Sequence, residues 1–152
     1  MQLAAMALFA SLLWACNSGN KAENASAKTD SLDHEQGEVA GTLALNNGAK
    51  WKADSITHVN VAAFESIIDN FEKAGQHDLP AYAQLADDLQ KSLNRLITDC
   101  KMQGPDHEAL HLWLRPLLQN VAELAKATTT NDASNLFNEI KEEARLYSQY
   151  FE

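Results

Sequence analysis

Cysteine is scarce in this chain, and the scarcity is informative. The two cysteines, Cys16 and Cys100, stand in unlike surroundings, so no disulfide framework is expected. Positive charge is also in short supply, with 12 Lys and Arg against 21 Asp and Glu and a formal charge of −9. That balance argues against nucleic acid as a partner, and against adhesion to anionic lipid through a basic patch. No apolar run reaches the roughly 18–20 residues that a membrane-spanning helix needs. There is no phosphate loop, no nucleophile elbow and no Ser-His-Asp spacing, so nothing argues for an enzyme. The core has no alternating strand pattern, and the absence of Cys-x-x-Cys-His excludes covalently attached haem.

What is present begins with an uncharged, apolar N-terminus. Residues 2–15 precede the first basic residue, Lys21, and fit the apolar region of a secretory signal. The stretch ends Leu13-Trp14-Ala15-Cys16 and is followed by small polar residues. This resembles the bacterial lipobox. The resemblance implies that residues 1–15 are a signal peptide and that Cys16 carries lipid as the mature N-terminus. Residues 16–42 are rich in Asn, Ser, Ala, Lys and acidic side chains, and they bury too little apolar surface to offset their ordering entropy. They read as a flexible, lipid-anchored linker. The expected location is the cell envelope, on a bacterial membrane and facing the periplasm or cell surface, with the membrane itself contacted through the lipid on Cys16.

Residues 43–152 are enough for one compact domain. Apolar side chains recur at helical spacing in four stretches. The first runs from Ser55 to Ala74, with Phe64, Ile67, Ile68 and Phe71 in its stripe and Gly75 as a stop. The second runs from Pro80 to Cys100, with Leu85, Leu89, Leu93, Leu96, Ile97 and Cys100. The third runs from Asp106, a candidate N-cap, to about Ala127, and the fourth from about Asp132 to Tyr150. Short links between long amphipathic helices favour antiparallel neighbours. The expected fold is therefore all-α: an antiparallel up-down four-helix bundle with a short extended N-terminal lead-in, turning at Asn47-Gly48. Pro116 falls inside the third helix, where a kink is expected. Asp87-Asp88 and Glu142-Glu143 read as solvated helix faces.

That topology gathers Trp51, His58, Cys100, Met102, His107, His111, Tyr147 and Tyr150 at one pole. The run Cys100-Lys-Met102-Gln-Gly104-Pro105-Asp-His107-Glu-Ala-Leu-His111 supplies a thiol, a thioether and two imidazoles from a single helical hairpin. Cys100 continues a leucine stripe. His107 and His111 are four apart and continue the row Leu114, Leu118, Val121, so all three are expected to face inward. This donor set suits copper, and Cys-His-His also suits zinc. Taken singly, each residue reads as structural: Cys100 as a small core hydrophobe, the histidines as end or core residues. Their joint occurrence at one hairpin, with an unpaired thiol, favours a metal site formed by Cys100, Met102, His107 and His111. His58 is a further candidate imidazole. Tyr147 is placed to orient one imidazole and Trp51 to shield the site. Haem ligation by His and Met is the weaker alternative.

The stretch from Asn46 to Phe151 resembles a group of small, largely uncharacterised bacterial lipoproteins and periplasmic helical proteins. The resemblance rests on Gly48-Ala-Lys-Trp51, on a Cys-x-Met-x-Gly-x-x-His-x-x-x-His pattern from Cys100 to His111, and on Pro116. It implies a helical bundle and the handling of copper or another heavy metal, with no activity attached. The expected function is an exported lipoprotein that binds a soft metal ion, copper first, for sensing, buffering or delivery. The competing expectation is a metal-free helical structural or interaction module in which Cys100 belongs to the core.

Overall fold

The computed structural model describes residues 41–152. The expected signal stretch, Cys16 and the expected linker up to residue 40 lie outside the described residues. Four helices make up the fold: α1 (Ser55–Ala74), α2 (Leu79–Asp99), α3 (Pro105–Leu124) and α4 (Thr130–Tyr150). Among the described residues there are only isolated backbone bridges and no strand, and no helix is long and apolar enough to cross a membrane.

The ends of the helices are written in local chemistry. Asp54 caps α1 by accepting the Thr57 N–H at 2.7 Å, and Gly75, at φ 66°, supplies the left-handed residue that stops it. A non-glycine residue strains at that angle. Asp78 caps α2 by accepting from the Ala81 N–H, with Pro80 in the first turn. Thr129 caps α4 through its hydroxyl, which accepts from the Asp132 N–H at 3.1 Å. Each such cap contributes about 1 kcal/mol.

α3 begins differently from the expectation. Its N-cap is Gly104, at φ 69°, with no side-chain cap, and Pro105 opens the helix. Asp106 is one residue too far along to cap, and its carboxylate instead accepts the Lys52 N–H at 2.9 Å. α3 also ends at Leu124, short of Ala127, in a turn where Lys126 N–H bonds the Glu123 carbonyl. The helix runs through Pro116 without a break.

The core is a single cluster. Phe64, Leu89, Leu93, Leu96, Leu110, Trp113, Leu117 and Ile140 are fully enclosed within it. α2 packs against α1, α3 and α4, and α3 packs along α4. The seam between α1 and α4 is spanned by long side chains, among them Lys141 Nζ to Glu72 at 2.7 Å. Trp113 brings a polar nitrogen into the core, and its Nε1–H donates to the Glu143 carbonyl at 2.9 Å.

The lead-in is more organised than an extended strap. Asn46 and Ala49 exchange both backbone hydrogen bonds, and the two residues between them, Asn47 and Gly48, have φ of 51° and 90°. Positive φ at both central positions is the hairpin turn that Asn-Gly favours. The chain then pairs with its own C-terminus. Trp51 N–H donates to the Tyr150 carbonyl at 2.8 Å, and Glu152 N–H donates back to the Trp51 carbonyl at 2.9 Å. Trp51 Nε1–H is held by the Ala44 carbonyl at 2.7 Å.

Candidate functional site

The start of α1, the end of α2, the start of α3 and the end of α4 meet at one pole, and specific contacts tie them there. The Asp54 carboxylate that caps α1 also accepts the Lys101 N–H, at 3.3 Å, from the α2–α3 link. Hydrogen bonds from Thr57, side chain first, hold the Asp54 carboxyl below its ordinary range. The Lys101 N–H and the nearby His58 add to this, against the opposing effect of burial.

Thr57 is fully enclosed. Its hydroxyl faces Met102 Sδ at 3.6 Å and Cys100 Sγ at 3.9 Å. The longer reach is normal for sulfur, a weak acceptor. One hydroxyl therefore lies among a carboxylate and two sulfurs. The expected meeting of Cys100 and Met102 is present, and it is organised around a residue of α1 that motif reading did not single out. Cys100 is half-buried and packs against the core, as does Met102; it carries no disulfide.

His58, one residue along from Thr57, turns toward α4. Its Nδ1 lies 3.0 Å from the Tyr147 hydroxyl, with the rings edge to face at 5.7 Å. Burial pushes the Tyr147 phenol far above its usual range, helped by the negative charges of Asp54 and Glu65 and by Cys100. The phenol therefore stays protonated and orients His58 as a neutral hydroxyl. Tyr147 in turn stacks on Phe151 at 4.9 Å and tilts against Trp113 at 5.0 Å.

His107 and His111 form a pair of their own on the first two turns of α3. Their ring centroids are 4.3 Å apart at an interplanar angle of 64°. His107 is half-buried, but His111 is exposed, which overturns the expectation that it faces inward. The reason is helical phase. The enclosed face of α3 is centred on Leu110, Trp113 and Leu117, and His111 lies about a third of a turn from it. Partial desolvation by its neighbours, with His107 and Arg115 nearby, lowers the His111 imidazole below its ordinary value. Ile97, expected in the inward stripe of α2, is likewise on the rim and is exposed.

The four hairpin donors thus fall into two pairs, a sulfur pair around Thr57 and an imidazole pair on the face of α3. Among the described residues there is no cluster of three or more His, Cys, Asp or Glu side chains arranged to hold a metal ion. A thioether lies outside that donor set. Thiolate and thioether are the donor types that select Cu(I). Trp51 is half-buried and packs on the core beside the C-terminal residues.

No family model, curated protein or solved structure matches the chain.

Proposed function

We propose that the chain is an exported lipoprotein whose helical domain binds a soft metal ion, Cu(I) foremost, at the pole where the four helix ends meet. The observation that carries this reading is the pair of sulfurs, Cys100 Sγ and Met102 Sδ, at 3.9 and 3.6 Å from one enclosed hydroxyl. A thiol and a thioether two residues apart supply the soft donors that Cu(I) prefers. The Asp54 carboxylate, one hydrogen bond from the Lys101 amide, adds negative charge beside them. The acidic balance of the chain, −9 overall, draws cations toward such a site. His107 and His111 stand on the first two turns of α3, outside this sulfur pair, while His58 and Tyr147 meet at the same pole. The role that fits an anchored, non-enzymatic binder is sensing, buffering or delivery of the ion. Lipid on Cys16 would hold it at the membrane; Cys16→Ser should then release the protein from membranes, and persistent association would sink the anchor.

The competing reading is a metal-free interaction module. Its support is also specific: Cys100 packs against the core and helps surround the enclosed Thr57 hydroxyl, a sufficient structural reason for a small apolar thiol. Anaerobic titration of the full chain with Cu(I) against a competing chelator separates the two. One ion per chain, lost in Cys100→Ser and weakened in Met102→Leu, is the expected result. Equal affinity in parent and Cys100→Ser would leave the interaction module as the reading.

A further inference from the structure

Among the described residues Cys100, His107 and His111 do not gather as a three-donor group, so the imidazole pair stands apart from the thiol, and its chemistry differs. His107 and His111 are one helical turn apart on α3, so backbone geometry alone brings their rings to the same side. The rings are in contact, with centroids 4.3 Å apart. His111 is exposed and His107 half-buried, which leaves the pair open to an ion arriving from solvent. We propose that His107 and His111 form a separate surface site for a divalent transition metal, Cu(II) above Zn(II), with solvent completing the coordination.

The argument is one of donor type and placement. Imidazole nitrogens suit Cu(II), Ni(II) and Zn(II), whereas thiolate and thioether select the softer Cu(I). Two imidazoles held by one rigid helix are already positioned, so binding loses little side-chain freedom compared with donors on separate loops. Two protein ligands leave the remaining positions to water, an arrangement consistent with the lack of a three-donor cluster among the described residues. Without a closed cage to impose geometry, preference follows intrinsic affinity, and Cu(II) outranks Ni(II) and Zn(II).

One effect opposes the site. The first turn of a helix carries about half a positive charge, which disfavours a cation. α3 answers this with Asp106 and Glu108 in the same turn. His111, a turn further in, also stands beyond the region where that partial charge is strongest.

This inference sits beside the Cu(I) reading and fails independently of it. The test uses the full chain carrying Cys16→Ser and Cys100→Ser, which removes both thiols that Cu(II) would oxidise. Cu(II) and Zn(II) are titrated separately, and the Cu(II) form is read by electron paramagnetic resonance. The expected result is one Cu(II) per chain with splitting from two nitrogens, and weaker Zn(II) binding. His107→Ala and His111→Ala should each cost more than the roughly 10–100-fold that loss of a mere supporting partner costs. In the parent background His107→Ala/His111→Ala should retain Cu(I). Unchanged Cu(II) affinity in both single variants, or a spectrum with no nitrogen splitting, overturns the imidazole site while leaving the sulfur reading intact. Loss of Cu(I) together with Cu(II) in the double variant overturns the separation into two sites.

Discussion

The two poles of the bundle close in different ways. At one, Phe71, His77, Tyr82 and Phe137 pack ring against ring, with Phe71 central: 5.0 Å to Phe137, 5.1 Å to Tyr82 and a parallel stack at 5.2 Å on His77. Lys141 lies 5.7 Å over Phe137 and pairs with Glu72. At the other, Thr57, Cys100, Met102, His58 and Tyr147 meet as hydroxyl, sulfur, imidazole and phenol. Ring packing gains from area, and tolerates any aromatic of about the right size. A polar cluster depends on each particular partner, because a group left unpaired when buried costs more than its hydrogen bond returned. The first pole is therefore explained by stability alone. The second spends specific chemistry where leucines would have sufficed, and that contrast supports reading it as functional.

The largest expected effect lies at the aromatic pole. Phe137 is nearly enclosed and touches Phe71, Tyr82 and Lys141. Phe137→Ala should destabilise the domain by about 3–5 kcal/mol through lost burial and the cavity left behind. Chemical denaturation measures it. Cu(I) affinity of the folded fraction should not change, and a parallel drop would show that the poles are not separate.

The helices and the faces they bury were legible in the sequence; the ring packing of Phe71, His77, Tyr82 and Phe137, and the internal pairing at the polar pole, were not. The 3.6-residue spacing of Phe64, Ile68 and Phe71, and of Leu85, Leu89, Leu93 and Leu96, locates helices and their faces because burial of a stripe enforces that period. Asn47-Gly48 declares its turn through the need for positive φ. Periodicity defines a face only to within a row, however, and His111 and Ile97 stand on edge rows that the neighbouring helix does not cover. Thr57 carries no such signal, since a threonine in an apolar stripe gives no hint of the sulfurs across the pole. The pairing of Trp51 with the C-terminal residues joins segments about as far apart as the domain allows, through backbone atoms, and leaves no side-chain pattern to read. The Tyr147–His58 bond joins α1 and α4 by the same long-range geometry, although placing both residues at one pole was sufficient to suggest a Tyr147–imidazole contact.

The next effect in size tests whether the polar pole is held by its cap. Asp54 closes α1 and the α2–α3 link with one carboxylate. Asp54→Ala should cost about 0.5–2 kcal/mol, and Met102, within that link, should become more protease-accessible. Because the folded-state carboxyl is held below its ordinary value of 3.8, its contribution is present above that pH and is lost as pH falls through the lowered value. The acid limb of the stability profile should therefore be flatter in Asp54→Asn than in the parent. Matching acid limbs would show that Asp54 is not linked to folding.

Tyr147→Phe comes third, at about 0.5–1.5 kcal/mol for one hydrogen bond. The ring stays to stack on Phe151 and Trp113, so the loss isolates the bond to His58 Nδ1. The His58 ring signals in nuclear magnetic resonance should broaden or shift, while those of His77 at the far pole hold still. A shift at His77 of equal size would mean that the variant perturbs the whole bundle and says nothing about the pole.

The smallest effect belongs midway between the poles, on the seam of α1 and α4. Glu65 and Asp69 line a cleft there with Lys141 and Arg145. Burial, and then the charge of Asp69, raise the Glu65 carboxyl above its ordinary 4.5. The folded state thus holds this proton more tightly than the unfolded chain does, so stability falls as pH rises from about 4.5 through the raised value. Glu65→Gln keeps the shape and removes the charge. At neutral pH it should be neutral or stabilising, within about 0.5 kcal/mol, and it should remove part of that decline with pH. Thermal unfolding across the carboxylate range measures both. A clear destabilisation by Glu65→Gln would mean that the charge is used in the seam, by pairing with Lys141 or Arg145, and that the middle of the bundle resembles the polar pole more than the aromatic one.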